Sequence, residues 1–376
     1  MSKHMKKLII ERDKLIQNIE IIKNLAKPSG VTVMAVLKGN GYGLGICEFA
    51  NLLLENGITI LAVSEQHEAV TLRENGITAD ILLLSPICSP AEVSRAVELG
   101  VICAVGSEQS AMLLNLAAQE HNVRARAHVV FDTGFGRFGF LPKDMDATIQ
   151  TLRELDSVDI EGTFTHLSDS FGDMKHCNAQ FELFNQAIGV LESAGISAGM
   201  RHICNSCAFL RFDTMPMHSQ MHLDAVRIGS AFLGRLPIEN AHKLNRIAYL
   251  QSRVCEVKCL PKGHNIGYAN TYKTKRDTKI AVIPIGYKDG YGVQKVNDAF
   301  RFMDILRYTL HDIMALFKDN GIYVTIRGKR CRLLGRISMF NIIADVTDIA
   351  DIEVGDDVVL QCNPIMIDSG IEREYM

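Results

Sequence analysis

No stretch of about 18 consecutive apolar residues occurs in the 376-residue chain, which leaves no candidate for a membrane-spanning helix. Basic charge is not in excess either: 40 lysines and arginines stand against 43 aspartates and glutamates, a formal charge of −3. A nucleic-acid binder ordinarily shows a surplus and clustering of basic residues. The densest basic group here, Lys273, Lys275, Arg276 and Lys279, is interrupted by Asp277 and reads as a solvated loop. The opening MSKHMKKLIIERDKL has only a short apolar patch before charges return, so it is not read as a secretory signal. The lone Cys-x-x-Cys, Cys204 to Cys207, has no second pair at zinc-ligand spacing, and no metal site is expected. The other cysteines are scattered, as small apolar residues of a reducing, cytoplasmic protein would be. There is no internal repeat and no low-complexity tract.

What remains is an ordinary globular composition, 47% apolar and 22% charged. The length suits two domains, or one large barrel with an appendage. Eight short apolar runs alternate with helix-patterned stretches: 32–38, 60–64, 80–85, 100–107, 125–134, 159–168, 200–207 and 223–234. The runs lack strict alternation, as parallel strands covered on both faces do. Eight such units predict an α/β fold, a (β/α)8 TIM-type barrel over 8–243. From 244 to 376 the pattern becomes short strands between Gly- and Asp-rich turns, at 253–259, 278–285, 323–326, 331–334, 341–346 and 357–360. This reads as a C-terminal, mostly β domain that also takes up the first few N-terminal residues. One interruption, 297–319, spaces Met303, Leu306, Leu310, Ile313 and Phe317 three or four apart and predicts an amphipathic helix.

Working residues of such a barrel come from the C-terminal ends of its strands. The first run ends in Lys38, followed by Gly39-Asn40-Gly41-Tyr42-Gly43. The fifth leads into Asp132-Thr133-Gly134-Phe135-Gly136-Arg137, the sixth holds His166, the seventh Asn205-Ser206, and the eighth Arg227 with Gly229-Ser230. An isolated lysine at a barrel mouth ordinarily snorkels to solvent. Beside glycine-rich turns whose N–H groups can approach a phosphate, it suggests pyridoxal phosphate held covalently by Lys38.

Ala35-Val36-Leu37-Lys38-Gly39-Asn40-Gly41-Tyr42-Gly43 resembles the cofactor-lysine motif of the alanine racemase family. The segments Asp132 to Phe140, Glu161 to His166, Asn205-Ser206 and Val226 to Gly229 are similar to further motifs of that family, in the same order. So are Gly267-Tyr268-Ala269-Asn270-Thr271-Tyr272, Pro284 to Gly290 and Gly335-Arg336-Ile337-Ser338-Met339. The resemblance implies a pyridoxal-phosphate amino-acid racemase, a homodimer with shared active sites acting on alanine or a similar small amino acid. It implies that Lys38 and Tyr268 are the two catalytic bases, the tyrosine entering from the second domain of a partner subunit. Tyr42, Asn205, Ser206, Gly229 and Ser230 would bind the cofactor, with Arg227 donating to its ring nitrogen and His166 fixing Arg227. A histidine inside a barrel is also a common core residue. Arg137, Met339, Phe340 and Tyr287 would face the substrate or its entrance.

The departures are as specific as the matches. Where the family has a carbamylated lysine that positions the arginine, this chain has Val130; where it has an acid after the methionine, this chain has Phe340; and the histidine after the lysine motif is Leu44. No late tyrosine has a clear counterpart, and Tyr375 matches the family's terminal Arg-x-Tyr. These differences keep three alternatives in view: a racemase of serine or a larger amino acid, a weakly active cofactor-binding relative, and a decarboxylase, which would normally set an acid, not Arg227, against the ring nitrogen.

Overall fold

The computed structural model describes residues 6–213, 216–294, 301–315 and 321–376. The chain divides into two compact units, Arg12–Ile247 and Met1–Glu11 with Ala248–Met376.

The first unit is the barrel. Its strands are Thr32–Val36, Ile60–Val63, Asp80–Leu83, Ile102–Val105, Ala125–Val130, Val158–Phe164, Met200–Asn205 and Ala225–Ile228. Each runs parallel to the next, and the first pairs with the last, Met34 opposite Arg227, to close the ring. The strands lack alternation because both faces are covered. Met34, Val36, Ala62, Leu82, Ile102 and Ala225 fill one interior layer, and Ala104, Val130 and Phe164 a second nearer the C-terminal ends. The helices bury one stripe each. In Ile46–Glu55 this is Ile46, Phe49, Ala50, Leu52 and Leu53, and the helix stops at Asn56-Gly57 where φ turns positive.

One buried polar group fastens the barrel's outer helix Arg12–Ala26. Asn18 is fully buried, and its amide donates to the carbonyls of Phe232 (2.9 Å) and Asn245 (2.8 Å) while its oxygen accepts from Asn245 N–H (2.7 Å).

The second unit holds a six-stranded sheet in the order Lys329–Arg332, Tyr323–Ile326, Asp357–Leu360, Ala248–Arg253, Lys7–Ile10, Glu372–Tyr375. A three-stranded sheet joins Glu256–Leu260, Thr278–Ile283 and Ile342–Asp345, and Asn265–Ile266 pairs with Tyr272–Lys273. The single strand expected over 253–259 is therefore two. At Val254-Cys255 the chain leaves one sheet for the other, Val254 N–H bonding to Asp356 O and Cys255 N–H to Val282 O. The terminal segments, too short to read as strands alone, form a parallel pair with Ile10 opposite Tyr375. Of the helix expected over 297–319, the described part is Phe302–Ala315; Phe317 and both ends lie outside the described residues. Met303, Leu306, Leu310 and Ile313 are exposed.

Asn18→Ala would leave three backbone groups without these partners, the buried Phe232 carbonyl and the half-buried carbonyl and N–H of Asn245. It is expected to remove about 2–3 kcal/mol of stability, read as a lower urea midpoint at unchanged slope. An unchanged midpoint would show that these contacts fasten nothing.

Candidate active site

The glycine-rich turn after the first strand does something other than present amides. Gly39, Asn40, Gly41 and Tyr42 all have φ between 54° and 65°, one turn of left-handed helix. Such a turn costs L-residues roughly 1–2 kcal/mol each, and two of its four positions escape that cost by being glycine, while asparagine tolerates it. Glu68, buried on the neighbouring helix Gln66–Glu74, accepts the Gly39 N–H at 2.6 Å and the N–H groups of Ser64 and Glu65 with its other oxygen. The turn leaves Lys38 exposed at the open end of the barrel and swings Tyr42 inward against the loop after the last strand. There a Cβ on Gly229 would lie 2.3 Å from the Tyr42 hydroxyl, so only glycine fits. Burial, and then the charges of Glu68 and Cys207, push the Tyr42 phenol up to about 12, which keeps it a donor. Ser206 Oγ completes the cradle by accepting from Gly229 N–H at 2.9 Å and Ala231 N–H at 3.5 Å. Asn205 works beside it as a cap, its side-chain oxygen taking the N–H groups of Cys207 and Ala208.

Arg227 is the centre of the set. Its side chain is buried, and its contacts are to neutral acceptors: Nη1 to His202 Nδ1 (2.6 Å) and His202 O (2.9 Å), Nη2 to Thr165 O (2.8 Å), Ile203 O (3.2 Å) and His166 Nδ1 (3.4 Å). The guanidinium also lies 5.2 Å above the Phe164 ring. Burial lowers the Arg227 pKa to about 10, so it stays charged near neutrality. His166, the expected partner, makes the longer contact. His202 makes the shorter one and was missed by sequence reasoning; its position on the seventh strand, two strand periods before the barrel-end Ser206, was the available signal.

His166 sits just past the sixth strand, and its imidazole is held neutral, pushed down to about 3 by burial and then by the charges of Arg227, Arg137 and Lys38. Three cations thus converge around one neutral ring. Arg137 has no carbamate to hold it. Val130 is buried against Ala104 and Phe164, and the arginine instead lies 4.5 Å over the Phe135 ring and 5.2 Å over Phe138. The loop that carries it is fixed by Asp132, which accepts the N–H groups of Gly134, Phe135, Gly136 and Arg137. Burial opposes ionisation of Asp132, but those four amides outweigh it and hold the carboxyl below its ordinary range.

The remaining candidates belong to the second unit. Tyr268 is 69% exposed on a turn beside Gly335-Arg336, a Cβ on Gly267 coming within 3.4 Å of Arg336 N. Tyr287 N–H and Lys288 N–H donate to the carbonyls of Ser338 and Met339. Tyr287, Met339 and Phe340 are all exposed, and Lys6 Nζ lies 5.8 Å over the Phe340 ring while pairing with Asp289 at 2.8 Å. No disulfide and no cluster of three metal-ligand side chains occurs among the described residues, nor a helix long and apolar enough to cross a membrane.

The N-terminal domain of alanine racemase matches residues 10–237, and the C-terminal domain of alanine racemase matches residues 247–369. The chain belongs to the alanine racemase family. It is 33% identical to the alanine racemase of Clostridium tetani over 368 residues, 96% of this chain and 87% of that one. It is 34% identical to the alanine racemase of Methanococcus maripaludis over 357 residues, 93% and 87% of the two chains. Among solved structures, alanine racemase of Clostridium difficile superposes with a TM-score of 0.86 at 26% identity, covering 100% of this chain and 97% of that chain. The Bacillus anthracis alanine racemase with bound L-Ala-P gives 0.80 at 28% identity, covering 96% and 86%.

A pH dependence of stability follows from the buried imidazoles. His128 is lowered to about 4, by burial and then by Arg126 and Arg227 against the opposing charge of Asp80, and His202 is lowered well below its ordinary value by burial, Arg227 and His128. Below about pH 6.5 the unfolded chain binds protons at both and the folded chain does not, so stability falls as pH falls. The expected slope is up to about 1.4 kcal/mol per pH unit for each such imidazole, His166 included, beginning below pH 6.5 and ending for His128 at about pH 4. Urea midpoints measured across that interval check it; a flat profile would mean that the rings are charged in the fold.

Proposed function

We propose that this chain is a pyridoxal-phosphate-dependent alanine racemase, working as a homodimer in which Lys38 of one protomer and Tyr268 of the partner subunit face opposite sides of the amino acid. The observation that carries this reading is the barrel mouth. A lysine, a donor-only arginine and a cradle formed by Tyr42, Ser206 and the Gly229–Ser230 backbone all stand at the C-terminal ends of adjacent strands.

These residues fit the cofactor. The close approach of Tyr42 to Gly229 and the two amides gathered by Ser206 Oγ suit the phosphate, and Lys38 suits covalent attachment. When bound, pyridoxal phosphate supplies a conjugated ring that takes up the electron pair left by loss of an α-proton. A guanidinium holds its proton near neutrality, so Arg227 would donate to the ring nitrogen without protonating it, which would restrain that electron uptake and limit side reactions. A racemase needs one group on each side of the α-carbon, since a single base returns the proton to the face it left. Lys38 removes or returns it on one face, and Tyr268 of the partner subunit does so on the other. Arg137 holds the substrate carboxylate, its fork set by the two phenylalanine faces. Met339 of the partner subunit and Phe340 of the partner subunit would close over the substrate carboxylate, and Tyr287 would line the entrance. The names of the relatives support alanine over serine or a larger amino acid, and Arg227 argues against a decarboxylase. The cysteines without disulfides suit a reducing cytoplasm.

Neither base of one protomer suffices alone, which makes the sharing of sites testable. Lys38→Ala and Tyr268→Phe homodimers are each expected to lose racemisation, and Lys38→Ala also the visible absorbance of bound cofactor. Mixed dimers of the two variants regain one intact site in two. Statistical exchange therefore restores about one quarter of native activity. No recovery in verified heterodimers would place both bases in one subunit. In D2O, alanine should gain deuterium at Cα while its rotation is lost; faster turnover of serine than of alanine would overturn the substrate assignment.

A further inference from the structure

We propose that His128, in the closed interior of the barrel, is a positioning residue that fixes the Arg227 guanidinium through His202. The inference rests on the reading that Arg227 faces the cofactor ring, and its first test does not need that reading.

The hydrogen-bond directions follow from one donor-only group. Arg227 Nη1 can only donate, so His202 Nδ1, 2.6 Å away, must offer a lone pair. A neutral His202 then carries its proton on Nε2. That nitrogen lies 2.9 Å from His128 Nδ1, which must accept, leaving the His128 proton on its own Nε2. The chain Arg227 to His202 to His128 thus runs one way, and both rings are single tautomers. A proton on His128 Nδ1 would set two N–H groups against each other.

The barrel is built around this link. A Cβ on Gly162, in the adjoining strand, would lie 2.6 Å from His128 Cε1 and 2.7 Å from Nδ1, so glycine opens the space the imidazole fills. The pairing of the strands Ala125–Val130 and Val158–Phe164 shifts register between Ala127 and His128, which sets the ring against its partner. Phe164 stacks on His202 with centroids 4.8 Å apart and planes 11° from parallel, and the same ring underlies the guanidinium. Both histidines are buried, and the charges that reach them are those of Arg126, Arg227 and Asp80 at His128 and of Arg227 at His202. Two of the three are positive, so an imidazolium at either ring is opposed and the neutral chain is favoured.

The first test is long-range 1H–15N correlation of the full chain carrying 15N-histidine, recorded with and without added pyridoxal phosphate and assigned with His128→Gln and His202→Gln. Nε2–H tautomers at both residues, unchanged from pH 5.5 to 8, are expected; an Nδ1–H tautomer or a charged ring at either position overturns the relay whatever the enzyme does. The second test is kinetic. His128→Phe should lower kcat about tenfold in both directions with KM for alanine changed less than twofold, and should shift the visible maximum of the bound cofactor. His128→Gln, whose amide oxygen can accept from His202 Nε2–H, should recover most of both. A folded His128→Phe protein with native kcat and spectrum, or a glutamine variant no better than phenylalanine, shows that His128 merely fills space. If His128→Phe fails to fold, the tautomers and the glutamine variant still decide. Absence of racemisation or of cofactor binding in the native protein, with both tautomers as stated, would fault the functional reading and leave the relay standing.

Discussion

A guanidinium enclosed in the barrel interior is the constraint around which the first unit is organised. Removing an ion from water costs several kcal/mol unless its protons are all received. The two terminal nitrogens of Arg227 donate to backbone carbonyls and imidazole nitrogens, a set that offsets part of the desolvation penalty without cancelling the charge. An aspartate in the same place would stabilise the ion more cheaply but would neutralise it. The fold thus keeps a full positive charge, with a direction, at the place where a heterocyclic nitrogen is proposed to sit. The neighbouring histidines are neutral for the same reason: in a buried space that already holds one cation, further protonation is opposed by burial and by repulsion together.

The other strained feature, the left-handed turn at 39–42, serves the same place from the opposite side of the barrel seam. A right-handed continuation after Lys38 would aim residue 42 elsewhere; the reversed hand delivers the phenol of Tyr42 to the loop after the last strand. Glu68 binds the turn to the next βα unit, so the conformation of the lysine segment depends on a residue 29 positions away. The Val130 departure fits this picture as well. An apolar side chain there completes the upper interior layer, and the role of orienting Arg137 passes to Phe135 and Phe138, whose faces attract a guanidinium without a counter-ion.

The second unit contributes differently. Its cores are ordinary sheet interiors, while Tyr268, Tyr287, Met339 and Phe340 stand on turns at its surface. Large apolar and aromatic side chains displayed together on polar-rimmed turns are typical of surfaces that complete a site on another molecule, consistent with the proposed exchange of residues between protomers.

Much of this was determined by the sequence by itself. Apolar runs without alternation, spaced by amphipathic stretches, dictated eight parallel strands, because a strand buried on both faces has no polar side to display. The Lys38, Arg137, Arg227 and Tyr268 segments pointed to the proposed chemistry, since each is a short contiguous signal. Tertiary structure alone decided what depends on partners far apart in the chain: the pairing of the two termini, the switch of sheet at Val254-Cys255, the left hand of the glycine turn, and the contact of Arg227 with His202 and of His202 with His128. In the sequence both histidines read as core residues, His202 marked only by its spacing from Ser206. Only closure of the barrel, which sets Met34 beside Arg227 and Gly162 beside His128, turns them into a directed chain, because hydrogen-bond direction is fixed by which donor-only group lies at its end.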